Sequence, residues 1–580
     1  MRPALIALCL FLFALPAYAD DRTLDALIAD YEAFMLADDP IEAGRQGDRA
    51  ALSRLPDVTP RADAARKAAL TGFQGRLAAL APESLSEEGR LNRAFLDWTL
   101  ERQLRSLAFD EARMPFNSDG GFHRIMGYLA ASTPMRTHED VRAWIDRLNA
   151  LPTYYRAHIA NARRGARAGF TQPRSTVEQV LAIARAQAAA PVESDPLLKP
   201  VDEAPLPEAE KAFLRAEALR IVRNHIRPAQ AEFVTFLERE YLPAARRSLG
   251  ARSLPDGERY YAWLVRDHTT TDLTPDQIHA NGLTEVARIR AEMEAVIAET
   301  GFSGDFAAFQ AFLRSEPRFY AESRQDLLEK ASEIAKRIDD QLPAWFVTLP
   351  RLTYGVRPVP AEIEAGYTTG RYFSGNPKLG LAGGYMVNTY DLSQRPLYEL
   401  PALTLHEAVP GHHLQIALSQ EAEGVPLFRR EAGVTAFTEG WGLYAEKLGG
   451  EMGIYRDAYE RFGRLSYEMW RACRLVADTG IHWKGWSLEE ARRCFAENSA
   501  LSPLNIEVEL ARYVSWPGQA LAYKTGEMKI VELRETAKAR LGERFDIRRF
   551  HDAVLLAGPL PLEMLEARIE AWIAAESQRP

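Results

Sequence analysis

The first half of the chain carries one recurring pattern. Leu24, Leu27, Ile28, Tyr31, Phe34 and Met35 fall on a single face of a helix. Ala-, Arg-, Glu- and Leu-rich stretches of the same texture continue to about Arg247, so this half is predicted to be helical. A run of prolines (Pro191, Pro196, Pro200, Pro205, Pro207) interrupts it and reads as a surface loop. A strong helix start follows. Thr274 can cap, Pro275 suits the first position, Gln277 completes a capping box, and Leu273 can pack on Ile278. A helix is predicted from there to about Thr300. An N-terminal helical lobe, residues 20–260, is placed ahead of a second lobe, residues 261–580.

From Leu349 to Tyr390 the texture shifts to Gly, Pro, Tyr and β-branched residues, and Gly383 to Tyr390 reads as a short strand after a glycine loop. Helical periodicity then returns. Val434, Phe437 and Trp441 form an apolar stripe, and Gly449-Gly450 is a natural stop. The fold class is therefore mainly α, with a small β element.

Composition narrows the setting. Residues 1–19 hold one basic residue, Arg2, an apolar run from Ala4 to Leu15, and Pro-Ala-Tyr-Ala at the end. That pattern is a secretory signal, too short to span a membrane. Cys9 lies inside the apolar run with no lipobox ahead of it, so no lipid anchor is read. The expected location is periplasmic or secreted, with no membrane contact once the signal is removed. The formal charge of −9 becomes −10 when Arg2 leaves with the signal, which argues against nucleic acid as a partner. With 47% hydrophobic residues the chain can bury a large core. Cys473 and Cys494 remain, and the sequence leaves both a disulfide and two buried thiols open. Phosphate loops, dinucleotide fingerprints and serine-hydrolase elbows are absent from the sequence.

The chemistry concentrates between Leu403 and Gln415, which reads Leu-Thr-Leu-His-Glu-Ala-Val-Pro-Gly-His-His-Leu-Gln. In the common zinc-hydrolase helix two histidines stand four apart on one face, with a glutamate beside the first as general base. Here Pro410 occupies the position four after His406. On an undistorted helix His412 would be turned about 120° from His406, and His413 would sit about 10 Å further along. Neither closes a site with metal–nitrogen bonds of about 2.0–2.1 Å. Pro410, however, lacks an amide and clashes with the carbonyl of His406, and Gly411 adds backbone freedom. The helix must distort there, so either His412 or His413 can return toward His406.

Together with Thr-Glu-Gly-Trp-Gly (438–442) and Arg-Tyr-Val-Ser-Trp-Pro-Gly-Gln-Ala-Leu-Ala-Tyr-Lys (512–524), this stretch resembles the bacterial domain-of-unknown-function family numbered 885. More distantly it is similar to the helical zinc peptidases of the angiotensin-converting enzyme and thermostable carboxypeptidase groups. The first resemblance spans most of the chain; the second rests on three short motifs. It implies a two-lobed peptidase-like fold whose second lobe carries the metal. Aligning its Gly-His with Gly411-His412 makes His412 the second ligand across a two-residue insertion, with His413 as the alternative. Glu439, within the apolar stripe, becomes the third ligand. Tyr513, of the Arg-Tyr pair, becomes the donor to the oxyanion. A strand edge near the metal helix, here the segment holding Tyr385, would carry an extended substrate.

Further residues are candidates for orienting the site or meeting substrate: Glu446 behind a ligand histidine, the Asp478 and His482 pair at i, i+4, and Arg512 or Lys524 for a substrate carboxylate. The resulting expectation is an exported zinc-dependent peptidase with one Zn²⁺ per chain. Glu407 would act as general base on a metal-activated water, and the substrates would be short or unfolded peptides. The same parts fit a hydrolase of a non-peptide amide or ester, or a non-catalytic periplasmic binding protein on a peptidase fold.

Overall fold

The computed structural model describes residues 19–133, 135–361, 363–364 and 367–579. The signal reading therefore lies outside them, apart from Ala19. The chain is mainly helical, with one small three-stranded sheet among the described residues. Among the described residues, no helix is long and apolar enough to cross a membrane.

The apolar periodicity at the start of the chain is satisfied by helix–helix packing. Leu24, Leu27, Ile28 and Tyr31 bury against Leu70, Leu77, Leu96 and Leu100 of the next helices. Residues 116–241 form a second apolar cluster around the long helix His138–Ala168, with Trp144, Ile145, Leu148 and Tyr155 at its centre. The proline-rich run belongs to this cluster, which corrects the surface-loop reading. Its prolines break it into short turns, yet Leu197, Leu198 and Val201 are buried. Prolines stopped the period without removing the apolar side chains that packing needs.

Helix α1 (Pro275–Glu299) opens with the expected reciprocal cap between Thr274 and Gln277. It runs beside the helix Ala458–Thr479 and contributes Ile289, Met293, Val296 and Ile297 to the largest core. The sheet consists of β1 (Tyr354–Pro358), β2 (Gly370–Phe373) and β3 (Gly383–Val387), in the order β1-β3-β2. β3 pairs parallel to β1 and antiparallel to β2. The predicted strand is thus central, and both of its edges are taken. It cannot accept an added strand, and the substrate role expected for the Tyr385 segment is lost for that reason. Tyr385 itself is fully buried, its hydroxyl bonded to Thr404.

Next come α2 (Leu400–Glu407), α3 (His412–Glu421), α4 (Thr435–Glu451), α5 (Ala458–Thr479), α6 (Pro503–Ser515) and α7 (Ala522–Leu541). α5 is buried along its last eighteen residues but for Arg464. Cys473 on α5 is disulfide-bonded to Cys494 on the helix Leu488–Asn498, which settles the alternative the sequence left open.

Candidate metal centre

The break between α2 and α3 creates the site. Pro410 has no amide to extend the helical ladder, and α2 stops at Glu407. Across the gap the Gly411 amide donates to Leu405 O at 3.0 Å, and the His413 amide to Ala408 O at 3.0 Å. The helix is widened here. Gly411 is required by contact, since a Cβ there would lie 1.9 Å from the His406 carbonyl oxygen. The distortion swings His412 back over His406, and the two rings meet edge to face with centroids 4.6 Å apart.

α4 closes the site from the opposite side. Trp441 Nε1 donates to the Pro410 carbonyl at 2.8 Å, tying α4 to the break. Gly442 lies against the His406 ring, where a Cβ would stand 2.6 Å from Cε1. The Thr-Glu-Gly-Trp-Gly run thus lets α4 approach closely enough for Glu439 to reach both histidines. Glu439 Oε2 is 3.4 Å from His406 Nε2 and 3.4 Å from His412 Nε2. One ligand atom from each of the three residues lies within 4.8 Å of the others.

Electrostatics favour a cation at this point. Burial works against a charge on His406, but the carboxylates of Glu439 and Glu446 outweigh it and raise its pKa to about 9. Burial likewise opposes the charge on Glu439, yet the two histidines hold its carboxyl well below the usual range. Glu439 Oε2 is buried without a hydrogen-bond partner, a costly state for a carboxylate. The other nitrogen of His406, Nδ1, donates to Glu446 Oε1 at 2.8 Å, which turns Nε2 toward Glu439 and His412. Two imidazole nitrogens and one carboxylate oxygen converge, and a divalent ion such as Zn²⁺ fits that donor set.

Glu407 follows His406 directly and is held by the sheet. Its Oε2 accepts the Tyr372 amide of β2 at 2.7 Å. Edge strand β2 therefore sets the position of this carboxylate.

The remaining candidates divide. Glu446 sits behind His406 as expected, and its Oε1 also meets Arg471 at 3.1 Å. His413 is taken elsewhere: its Nε2 donates to Leu352 O at 3.0 Å and its Nδ1 accepts from the Tyr372 hydroxyl at 2.9 Å. Burial lowers its pKa to about 4, so it is neutral with both nitrogens used, and it is not the alternative ligand. Tyr513 is also committed. Its hydroxyl donates to Glu509 at 2.7 Å and accepts from Arg474 at 2.8 Å and Trp470 at 3.0 Å, leaving nothing for an oxyanion.

Asp478 and His482 do not bond to each other. Asp478 accepts from the Tyr261 hydroxyl and the Gly518 amide. His482 donates to Tyr513 O and accepts from the Ala251 amide. They clamp distant segments together. Lys524 is buried among Glu285, Glu468 and Glu527 at 2.8–2.9 Å, so it has no free charge for substrate. Arg512 is ion-paired with Glu509 at 3.4 Å, while its Nε and Nη2 are buried without a hydrogen-bond partner.

Tyr523 was not assigned a role from sequence. Its ring lies 6.5 Å from that of His406, nearly parallel to it. It sits in the same quoted segment as Tyr513, ten residues on, but only the placement of α7 reveals which phenol faces the histidines. Tyr372 and Arg471 were likewise missed, because one acts through its backbone and the other through Glu446.

Comparison with known proteins agrees with this architecture. No curated protein matches the chain. Among the solved structures that do are two, each described as that of a “putative lipoprotein”. The one from Colwellia psychrerythraea has a TM-score of 0.90 at 28% identity, over 96% of this chain and 100% of its own. The one from Shewanella oneidensis, of unknown function, has a TM-score of 0.70 at 22% identity, over 95% and 99%, and speaks to the fold alone. The family model described as “Bacterial protein of unknown function (DUF885)” matches residues 40–569, and the chain belongs to that family.

Proposed function

We propose that this protein is an exported metal-dependent hydrolase, a zinc peptidase acting on short or unfolded peptides. The observation that carries the reading is the convergence of His406 Nε2, His412 Nε2 and Glu439 Oε2 within 4.8 Å, with the Glu407 carboxylate adjacent and held by β2. Export rests on the signal-like residues 1–19.

His406, His412 and Glu439 would hold the ion, leaving a position for water. When bound, a Zn²⁺ ion supplies acidity to that water and polarises the scissile carbonyl. Glu407 takes a proton from the attacking water and delivers it to the leaving amine. The Tyr372 amide keeps one carboxylate oxygen occupied, which leaves the other to move the proton. Tyr523, the phenol facing His406, donates to the oxyanion in the role the sequence reading gave to Tyr513. Glu446 fixes the His406 tautomer and ring orientation.

The test is a panel of short peptides incubated with zinc-loaded protein, wild type beside Glu407→Gln. The glutamine can still accept the Tyr372 amide, so metal content should hold while turnover falls by about two orders of magnitude or more. Near-full activity in the variant sinks the mechanism. Amide or ester metabolites cleaved in place of every peptide would move the substrate class.

A further inference from the structure

His413 has no place among the three converging ligands, yet both of its ring nitrogens are spent next to them. It follows the ligand His412 directly at the start of α3 and is buried. Its Nε2 lies 3.0 Å from the carbonyl oxygen of Leu352, two residues before β1. A carbonyl oxygen accepts and never donates, so in the neutral ring the proton sits on Nε2 and Nδ1 is the acceptor. The Tyr372 hydroxyl, 2.9 Å away, is therefore the donor to Nδ1. The far end of α3 grips the same segment, where Glu421 accepts the Leu352 amide at 2.8 Å.

Tyr372 carries this bond to the general base. Its amide donates to Glu407 Oε2 at 2.7 Å, while its hydroxyl, at the other end of a rigid ring, meets His413. Glu407 ends α2 and His412 begins α3, so the regular helical ladder is interrupted between base and ligand. Tyr372 bridges that interruption from the side, because base and ligand helix are both tied to one residue of β2. Gly383 of β3 leaves the room for it. A Cβ there would lie 2.6 Å from the Tyr372 hydroxyl and 2.8 Å from His413 Nδ1, closer than a Cβ sits in a folded protein. Tyr354 of β1, paired with Gly383 in the sheet, packs its ring 4.6 Å from that of His413. Each strand thus contributes one residue to seating this histidine.

We propose that His413 is a positioning residue for the hydrolysis: by holding the Tyr372 hydroxyl it locks β2 against α3, and so fixes Glu407 relative to His412. This rests on the hydrolase reading above. The physical ground is tolerance. A general base works within about 2.6–3.2 Å of the atom whose proton it takes, and a misplacement of about 1 Å can cost about 10²-fold in rate. A carboxylate held by a backbone amide moves with its strand, and the bond to His413 removes that freedom.

The experiment breaks the bridge in two ways. Tyr372→Phe deletes the hydroxyl and keeps the amide on Glu407; Gly383→Ala sets a methyl group against the bond while both of its partners stay. Each is compared with the zinc-loaded wild type for zinc content, kcat and KM on a short peptide. Both should keep their zinc and the wild-type KM, and lose about tenfold or more in kcat. The double variant Tyr372→Phe/His413→Phe should match His413→Phe alone in kcat, since both changes remove the same bond. In a Glu407→Gln background Tyr372→Phe should cost nothing further, a result that a merely structural role would not give. Wild-type kcat in Tyr372→Phe and Gly383→Ala overturns the positioning role and leaves the hydrolase intact. Loss of zinc from Tyr372→Phe also overturns it, because the bond would then hold the ligand and not the base. An undiminished loss in the Glu407→Gln background does the same. Failure of the zinc-loaded wild type to cleave any peptide overturns the hydrolase reading itself, and the positioning role with it.

Discussion

His406 Nδ1 donates to Glu446 Oε1 across 2.8 Å, in a site where both residues are almost fully excluded from water. The bond determines which imidazole nitrogen faces Glu439 and His412. Arg471, 3.1 Å from the same carboxylate oxygen, helps hold Glu446 in place.

Replacing Glu446 by Gln should therefore weaken metal binding by about tenfold or more while leaving the three ligands intact. A chelator competition with zinc reads this directly. Unchanged affinity would mean that packing, including the contact of Gly442 with the His406 ring, orients the imidazole without help.

The two phenols should behave oppositely. Tyr513→Phe strips a partner from Glu509, Arg474 and Trp470 at once, and should cost about 1–3 kcal/mol of stability with little change in kcat. Tyr523→Phe should lower kcat by about 10²-fold or more, as loss of an oxyanion donor does, and leave stability nearly unchanged. Urea unfolding and peptide turnover on both variants separate the roles. A large kcat loss in Tyr513→Phe alone would restore the assignment made from sequence.

How far this site was legible can be judged residue by residue. His406, Glu407, His412 and Glu439 were visible because their chemistry is written in local runs, and Pro410-Gly411 announced that the helix between them must deform. The same is true of Thr274 and Gln277, whose cap depends on neighbours in sequence. The choice between His412 and His413 needed the sheet, since Tyr372 and Leu352 are what occupy His413. Tyr513 and Tyr523 are both buried tyrosines in one segment, and which hydroxyl is already spent depends on Glu509, Arg474 and Trp470 arriving from two helices. Lys524 looked like a free cation because Glu285 and Glu468 are distant in the chain. A bias toward local pairs also explains the Asp478 and His482 reading: helical spacing allows that contact, but Tyr261, Gly518 and Ala251 compete for it. In the first half, the prolines hide the burial of Leu197, Leu198 and Val201 from any pattern based on helical period.

The buried carboxyl of Glu399 gives the protein a distinct pH signature. Glu399 has an oxygen without a hydrogen-bond partner. Burial raises its pKa from 4.5 to about 8, against the pull of Arg395, Arg471 and Arg314. The folded state thus keeps this proton over a range in which the unfolded chain has released it. Its contribution to stability is greatest below pH 4.5 and declines as the pH rises toward about 8. Glu399→Gln removes that titration, so the stability of the variant relative to wild type should increase between about pH 5 and about pH 8. Urea unfolding at the two pH values checks it, and a constant difference would show that Glu399 does not titrate in this window.

The central claim is that His406, His412 and Glu439 bind one metal ion. Elemental mass spectrometry of the purified, dialysed mature protein, wild type beside His406→Ala, tests it most directly. About one zinc per chain in the wild type and little in the variant is the result expected of a two-histidine, one-glutamate site. No metal in either protein after incubation with zinc, or equal metal in both, would contradict the site.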